Sequence, residues 1–189
     1  MSDATDDALL AAITQGSTPA FRTLMERHGR FALTLAQRMT GNANDADEIV
    51  QEAFLRVWTS AGRWRPEGGA RFTTWLYRVV FNLCTDRHRR TGAVVPLEEA
   101  AAVPDTAPGG FEIQAAGEGR ALLADALAAL PERQRAVVTL YYFGDLSVPE
   151  ISKTLGVSVS ALESLLARAR RAIGKFVGDR GLKDLGDLL

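Results

Sequence analysis

Residues 147–172 read SVPEISKTLGVSVSALESLLARARRA, and this stretch decides the fold. Ile151 and Leu155 lie one helical turn apart, Ser152 is small where two helices must approach, and Gly156 supplies a tight turn. Val157, Leu162 and Leu165 then return apolar contacts. The spacing predicts helices over residues 147–155 and 160–176, with only residues 156–159 between them. In a helix-turn-helix the second helix enters the major groove by its N-terminal half while the first crosses the backbone. A plain αα-hairpin inside a bundle would carry the same apolar spacing. Ser160, Ala161, Ser164 and Arg168 lie roughly along one face of the second helix, and Arg168, Arg170, Arg171 and Lys175 gather toward its C-terminal half. Arginine grips phosphate or bonds a guanine edge bidentately, and serine can bond either. Cations near a helix C-terminus also answer the macrodipole, so the basic cluster alone leaves both roles open.

Working outward, residues 122–130 have a helical pattern and Pro131 opens a further helix through Phe143. Residues 92–119, GAVVPLEEAAAVPDTAPGGFEIQAAGEG, are rich in Gly, Pro and Ala, lack any Lys or Arg and show no sustained period, which marks a linker. Before it come four helices. Residues 5–15 gather Leu9, Leu10 and Ile13 and stop at Gly16; Ser17 and Pro19 are cap and first-turn signals for the next. That second helix carries Phe21, Leu24, Met25, His28, Phe31 and Leu35 and ends near Gly41 and Asn42. A third is expected to begin at Asn44 or Asp45, where DADE suits the positive end of a helix dipole, with apolar residues at Ile49, Val50, Ala53, Phe54, Val57 and Trp58. The loop at residues 61–71, AGRWRPEGGAR, breaks it. The fourth runs from Phe72 to about Arg90. It is expected to bury Phe72, Trp75, Leu76, Val79, Val80 and Leu83, leaving Thr74, Arg78, Asn82, Asp86, Arg89 and Arg90 on its other sides. No strand alternation persists, so the expected fold is all-α: helical domains at residues 1–91 and 120–189 joined by a flexible acidic linker at 92–119.

Composition narrows the functions open to such a fold. The 189 residues are 47% hydrophobic and 24% charged, ordinary for globular domains, with a net charge of −1. The charge is unevenly spread: residues 1–91 hold 12 Lys+Arg and 10 Asp+Glu, residues 92–119 none and 5, residues 120–189 10 and 8. Both ends are therefore mildly basic and able to face phosphates locally. The single cysteine, Cys84, can form neither an intramolecular disulfide nor a multi-cysteine metal site; it reads as a small buried apolar residue in a reducing compartment. The N-terminus, MSDATDDALLAA, is acidic where a secretory signal is basic, and no apolar run approaches the ~20 residues that span a bilayer, so a cytoplasmic protein without membrane insertion is expected. No phosphate loop, His-rich metal motif or nucleophile with a base at workable spacing occurs, so no catalytic residue, metal or cofactor is assigned. His28 and His88 have no partner cluster and receive no chemistry.

Taken together, the two ends resemble something specific. DADEIVQEAFLRVW (residues 45–58) resembles region 2.2 of sigma factors, RFTTWLYRVVFNLCTDRHRR (71–90) resembles regions 2.3 and 2.4, and residues 129–173 resemble region 4. Blocks in this order, split by a variable acidic linker, are similar to the extracytoplasmic-function RNA polymerase sigma factors of the sigma-70 family. The resemblance implies a division of labour. Asp45, Asp47, Glu48, Gln51, Glu52, Phe54 and Arg56 would dock on the clamp helices of the bacterial RNA polymerase core, whose groups must satisfy these charges because an unpaired buried charge costs several kcal/mol, on the order of 3–5. Arg63, Trp64, Arg71, Arg78, Asn82, Arg87, Arg89 and Arg90 would hold the minus-10 promoter element as single-stranded DNA, where each stacked base contributes on the order of 1–3 kcal/mol.

Ser160, Ala161, Glu163, Ser164, Arg168 and Arg171 would read the minus-35 element as duplex. The chain departs from many relatives here, with Glu163 where a basic residue is common and Leu165 where arginine is common. Glu163 either accepts from cytosine N4 or continues the first-turn preference for acids. The linker would thread through the polymerase, as a mimic of nucleic acid or as a tether of suitable length. An anti-sigma factor is an expected partner. Two other readings stand beside this one: a sigma-like decoy that only sequesters an anti-sigma factor, and a dimeric helix-turn-helix regulator that binds operators.

Overall fold

A computed structural model of the chain describes residues 4–64, 71–90, 118–144 and 146–179, with backbone alone at 118–121. Among these residues every regular element is helical, and no helix is long and apolar enough to cross a membrane. The chain divides into two compact units, Met1–Thr91 and Gly92–Leu189.

The first unit holds α1 (Asp6–Thr14), α2 (Thr18–Thr40), α3 (Ala43–Ser60), a 3-10 turn (Ala61–Arg63) and α4 (Phe72–Arg90). Side-chain caps set the helix starts. Thr5 accepts from the Ala8 amide and Ser17 from the Ala20 amide. Asn42 Oδ1 accepts from the amides of both Asn44 and Asp45, so α3 opens at Ala43, slightly before the expected start. Gly41 turns the chain between α2 and α3 at φ 68°, a conformation that costs glycine nothing. The long α2 packs on α1, α3 and α4. Ala32, Ala36, Ala46 and Ala53 are fully buried, and such small side chains let neighbouring helices approach closely around Leu24, Leu35, Met39, Phe54, Val57 and Leu76.

Helix α4 begins and ends where its pattern predicted, but it is rolled relative to the expected face. Phe72, Thr74, Leu76, Tyr77, Val80 and Cys84 are buried, whereas Trp75, Val79 and Leu83 are only half-buried. Tyr77, absent from the expected stripe, tilts against Phe31 with ring centroids 4.6 Å apart. On α3 the expected stripe was likewise too broad: Ile49, Ala53, Phe54 and Val57 are buried, while Trp58 is 37% exposed.

The second unit holds α5 (Glu118–Ala128), α6 (Glu132–Phe143), α7 (Val148–Leu155) and α8 (Val159–Gly178). The last two residues of the expected linker thus belong to α5, and residues 92–117 lie outside the described ones. Between Gln134 and Leu140 only Arg135 is not buried, so α6 forms the centre of this unit, as a helix apolar on most sides must. Arg135 Nη2 donates to the carbonyls of Ala128 and Leu130, closing the exposed end of α5. Burial lowers its pKa, and Glu132 partly opposes that shift.

The turn between α7 and α8 is built from its own residues. The Glu150 carboxylate accepts from the Ser147 amide at 2.8 Å and from its hydroxyl at 2.6 Å at the start of α7. Gly156 adopts φ 66°. The Val157 amide donates to the Ser152 carbonyl, and the Ser152 hydroxyl donates to the Val157 carbonyl. Ser152, expected to be small for close packing, therefore also fastens the turn. Ser158 accepts from the Ala161 amide, so α8 starts at Val159, one residue before the expected position.

Candidate nucleic-acid and polymerase interfaces

On α3, Asp47, Glu48, Gln51 and Arg56 are exposed and Asp45 and Glu52 half-buried. Arg56 Nε donates to Glu52 Oε1 at 3.0 Å. Phe54 corrects the expected set: it is 2% exposed, packed edge-on to Phe21, and out of reach of any partner. Leu55 at 55% and Trp58 at 37% exposure carry apolar area on the same helix. Trp58 contacts Phe21 edge-on at 5.2 Å, beside a shallow depression lined by Thr18, Phe21, Arg22, Met25 and Glu26. Sequence periodicity missed this apolar surface because it assigned Trp58 to the core.

Arg78, Asn82, Arg89 and Arg90 of α4 are exposed, as are Arg63 and Arg71. Arg87 behaves differently. Its guanidinium donates to Asp45 Oδ1 at 2.5 Å and to Glu48 Oε2 at 2.7 Å, bridging α4 to the start of α3, and these two acids hold its pKa above the usual arginine value. Three residues expected to serve two different partners are therefore joined to one another. Nothing in the local sequence signals this pairing, since the partners lie 42 and 39 residues apart. One residue on, His88 Nε2 lies 3.0 Å from the Met39 carbonyl, which can only accept, so the nitrogen donates and fastens the same turn of α4 to α2.

Trp64 also has work inside the fold. Its indole N–H donates to Asp7 at 3.0 Å, and its ring lies 6.2 Å from Phe72 and 5.8 Å from Trp75. The rest of its loop, residues 65–70, lies outside the described ones. Asp6 bonds His28 at 2.8 Å and Arg27 at 3.0 Å, so the two histidines, to which the sequence assigned no chemistry, each have a structural partner.

On α8, Val159, Ser160, Glu163, Arg171 and Lys175 are exposed and Ala161 is half-buried. Ser164 is 5% exposed and cannot reach DNA as expected. Arg168 is half-buried, and its Nε donates to the Ser164 carbonyl. Arg170, which sequence reasoning placed only in a general basic cluster, is an anchor: Nε donates to the Tyr142 hydroxyl at 2.9 Å, and the guanidinium lies 5.6 Å and 5.8 Å from the ring centroids of Tyr141 and Tyr142. This pins the roll of α8 on α6.

Comparison with known proteins agrees with this two-unit arrangement. A family model described as Sigma-70 region 2 matches residues 24–94, and one described as Sigma-70, region 4 matches residues 120–173. The ECF RNA polymerase sigma factor SigM of Mycobacterium tuberculosis is 34% identical over 175 residues, covering 92% of this chain and 85% of the relative. The solved structure of CnrH in complex with the cytosolic domain of CnrY covers 92% of this chain and 97% of its own, with TM-score 0.69 and 26% identity. The sigma factor RpoE, solved with the anti-sigma factor NepR from Bartonella quintana, shares the fold at TM-score 0.60 and 18% identity, covering 84% of this chain and 96% of its own. The chain belongs to the sigma-70 family, among its extracytoplasmic-function RNA polymerase sigma factors.

Proposed function

We propose that this chain is a promoter-recognition subunit that brings the bacterial RNA polymerase core to particular promoters and aids their melting, with no catalytic step of its own. The observation that carries this reading is the pairing, in sigma order, of a region 2 unit and a region 4 unit in one chain. Within the first unit, the outer face of α3 (Asp47, Glu48, Gln51, Glu52 and Arg56) takes the core, with Leu55 and Trp58 adding apolar area. A mixed surface of this kind suits a partner that both covers apolar groups and satisfies charges. Arg63, Arg71, Arg78, Asn82, Arg89 and Arg90 offer donors to the phosphates and base edges of a melted minus-10 strand. The second unit presents α8 to duplex minus-35 DNA. Residues 92–117 serve as the tether between them.

CnrH and RpoE were each solved with a bound protein, the latter named an anti-sigma factor. We place this chain under the same kind of control, in the cytoplasm, with an anti-sigma factor competing for the faces just described.

Run-off transcription tests the reading, using purified bacterial core polymerase with and without the full chain on promoters from its own genome. Transcripts that depend on the chain are the expected result. Core binding without transcripts would favour the decoy, and duplex binding without core would favour an operator-binding regulator.

A further inference from the structure

The half of α8 that a helix-turn-helix inserts into the major groove has an unusual donor and acceptor inventory. Val159–Leu166 reads VSALESLL and contains neither Lys nor Arg; the cations begin at Arg168. Of these eight side chains, Leu162, Ser164 and Leu166 are buried and Ala161 and Leu165 half-buried. The exposed ones are Val159, Ser160 and Glu163. The hydroxyl of Ser160 lies 3.2 Å from that of Ser158, the capping residue. Glu163 is the sole charged group of this half, and no described residue bonds its carboxylate. Arg171, further along the same helix, is exposed as well.

The chemistry of base edges then selects among the four bases. A carboxylate only accepts. Guanine offers it two acceptors, O6 and N7, and thymine offers O4, so both repel it. Adenine offers the N6 amine, but beside the N7 lone pair. Cytosine offers the N4 amine with no acceptor next to it on the major-groove edge. We propose that Glu163 is a specificity-determining residue that accepts a hydrogen bond from cytosine N4 in the minus-35 duplex, making this sigma factor select cytosine where a basic residue at the same place would select guanine.

This proposal rests on the sigma-factor reading above, and one experiment separates their failures. Core polymerase with the full chain is run on a promoter library randomised across the upstream element, and the transcribed members are sequenced for the wild type, Glu163→Gln and Glu163→Lys. The wild type is expected to favour cytosine at one upstream position by about tenfold. Glu163→Gln should move that preference to adenine, because an amide accepts from N6 and donates to N7; Glu163→Lys should move it to guanine. The site is exposed, so circular dichroism should show unchanged helix content. Abundant transcripts with identical base preferences in all three proteins would overturn the proposal and leave the sigma reading standing. A changed affinity for core with unchanged base preference would overturn it equally, by turning Glu163 toward a protein. No transcripts from the wild type would overturn both.

Discussion

Helix α4 carries three arginines in its last turn and α8 three from its middle onward, yet the two units hold these cations in different ways. In α4, Arg87 is fixed by two carboxylates from α3, Asp45 and Glu48. In α8, Arg170 is fixed by neutral groups, the hydroxyl of Tyr142 and the faces of Tyr141 and Tyr142. An ion pair neutralises its cation and weakens as salt screens it. A tyrosine anchor leaves the charge in place and, its partner being uncharged, responds less to salt. The first unit therefore presents Arg89 and Arg90 beside an Arg87 that is paired with two acids, whereas in the second the tyrosine contacts of Arg170 leave its charge unopposed by those partners. Position near a helix end does not distinguish an anchor from a contact; packing does.

The largest effect that separates contact from anchor should come from α8. Replacing Arg171 and Lys175 together by Ala should lower promoter affinity on the order of 50-fold near 0.1 M salt and shift the slope of log affinity against log salt by about 2, with melting temperature unchanged. Equilibrium binding of the holoenzyme to one promoter across a salt series measures both. An unchanged slope would mean that neither cation meets a phosphate. Arg170→Ala should do something different, costing on the order of 1–3 kcal/mol of stability at any salt concentration through the lost hydrogen bond and ring contacts.

Arg87→Ala sharpens the same contrast from the other side. Its destabilisation, read as melting temperature by circular dichroism, should be plain at low salt and shrink as salt rises, because the pair with Asp45 and Glu48 is partly exposed. A salt-independent loss would place Arg87 with Arg170 and erase the difference. DNA binding by this variant should fall less than for Arg89→Ala, since Arg87 already has acidic partners inside the unit.

Much of the fold is legible in the amino-acid sequence. The cap at Ser17 and the glycine turn at Gly156 are local events among a few neighbouring residues, and each is found where its sequence places it. What sequence misses depends on distant neighbours. The roll of α4 is set by Phe31 meeting Tyr77, the role of Arg87 by acids some forty residues upstream, and the burial of Phe54 and Ser164 by the helices around them. Periodicity finds that a helix has an apolar side; where two stripes of similar hydropathy compete, as Trp75 and Tyr77 do, only the shape of the partner decides.

The smallest structural effect tests the docking face itself. Arg56 pairs with Glu52 one turn earlier on α3, with both side chains 45% exposed. A surface pair of this spacing contributes only about 0.3–0.5 kcal/mol, even in the favourable order of glutamate before arginine. Arg56→Ala should therefore leave the melting temperature almost unmoved. If the outer face of α3 meets the polymerase, the same substitution should weaken core binding severalfold, measured by titrating labelled chain with core enzyme. A loss of core affinity far beyond the loss of stability marks a contact, and equal small losses would mark Arg56 as one more solvated ion pair and move the docking face toward Leu55 and Trp58.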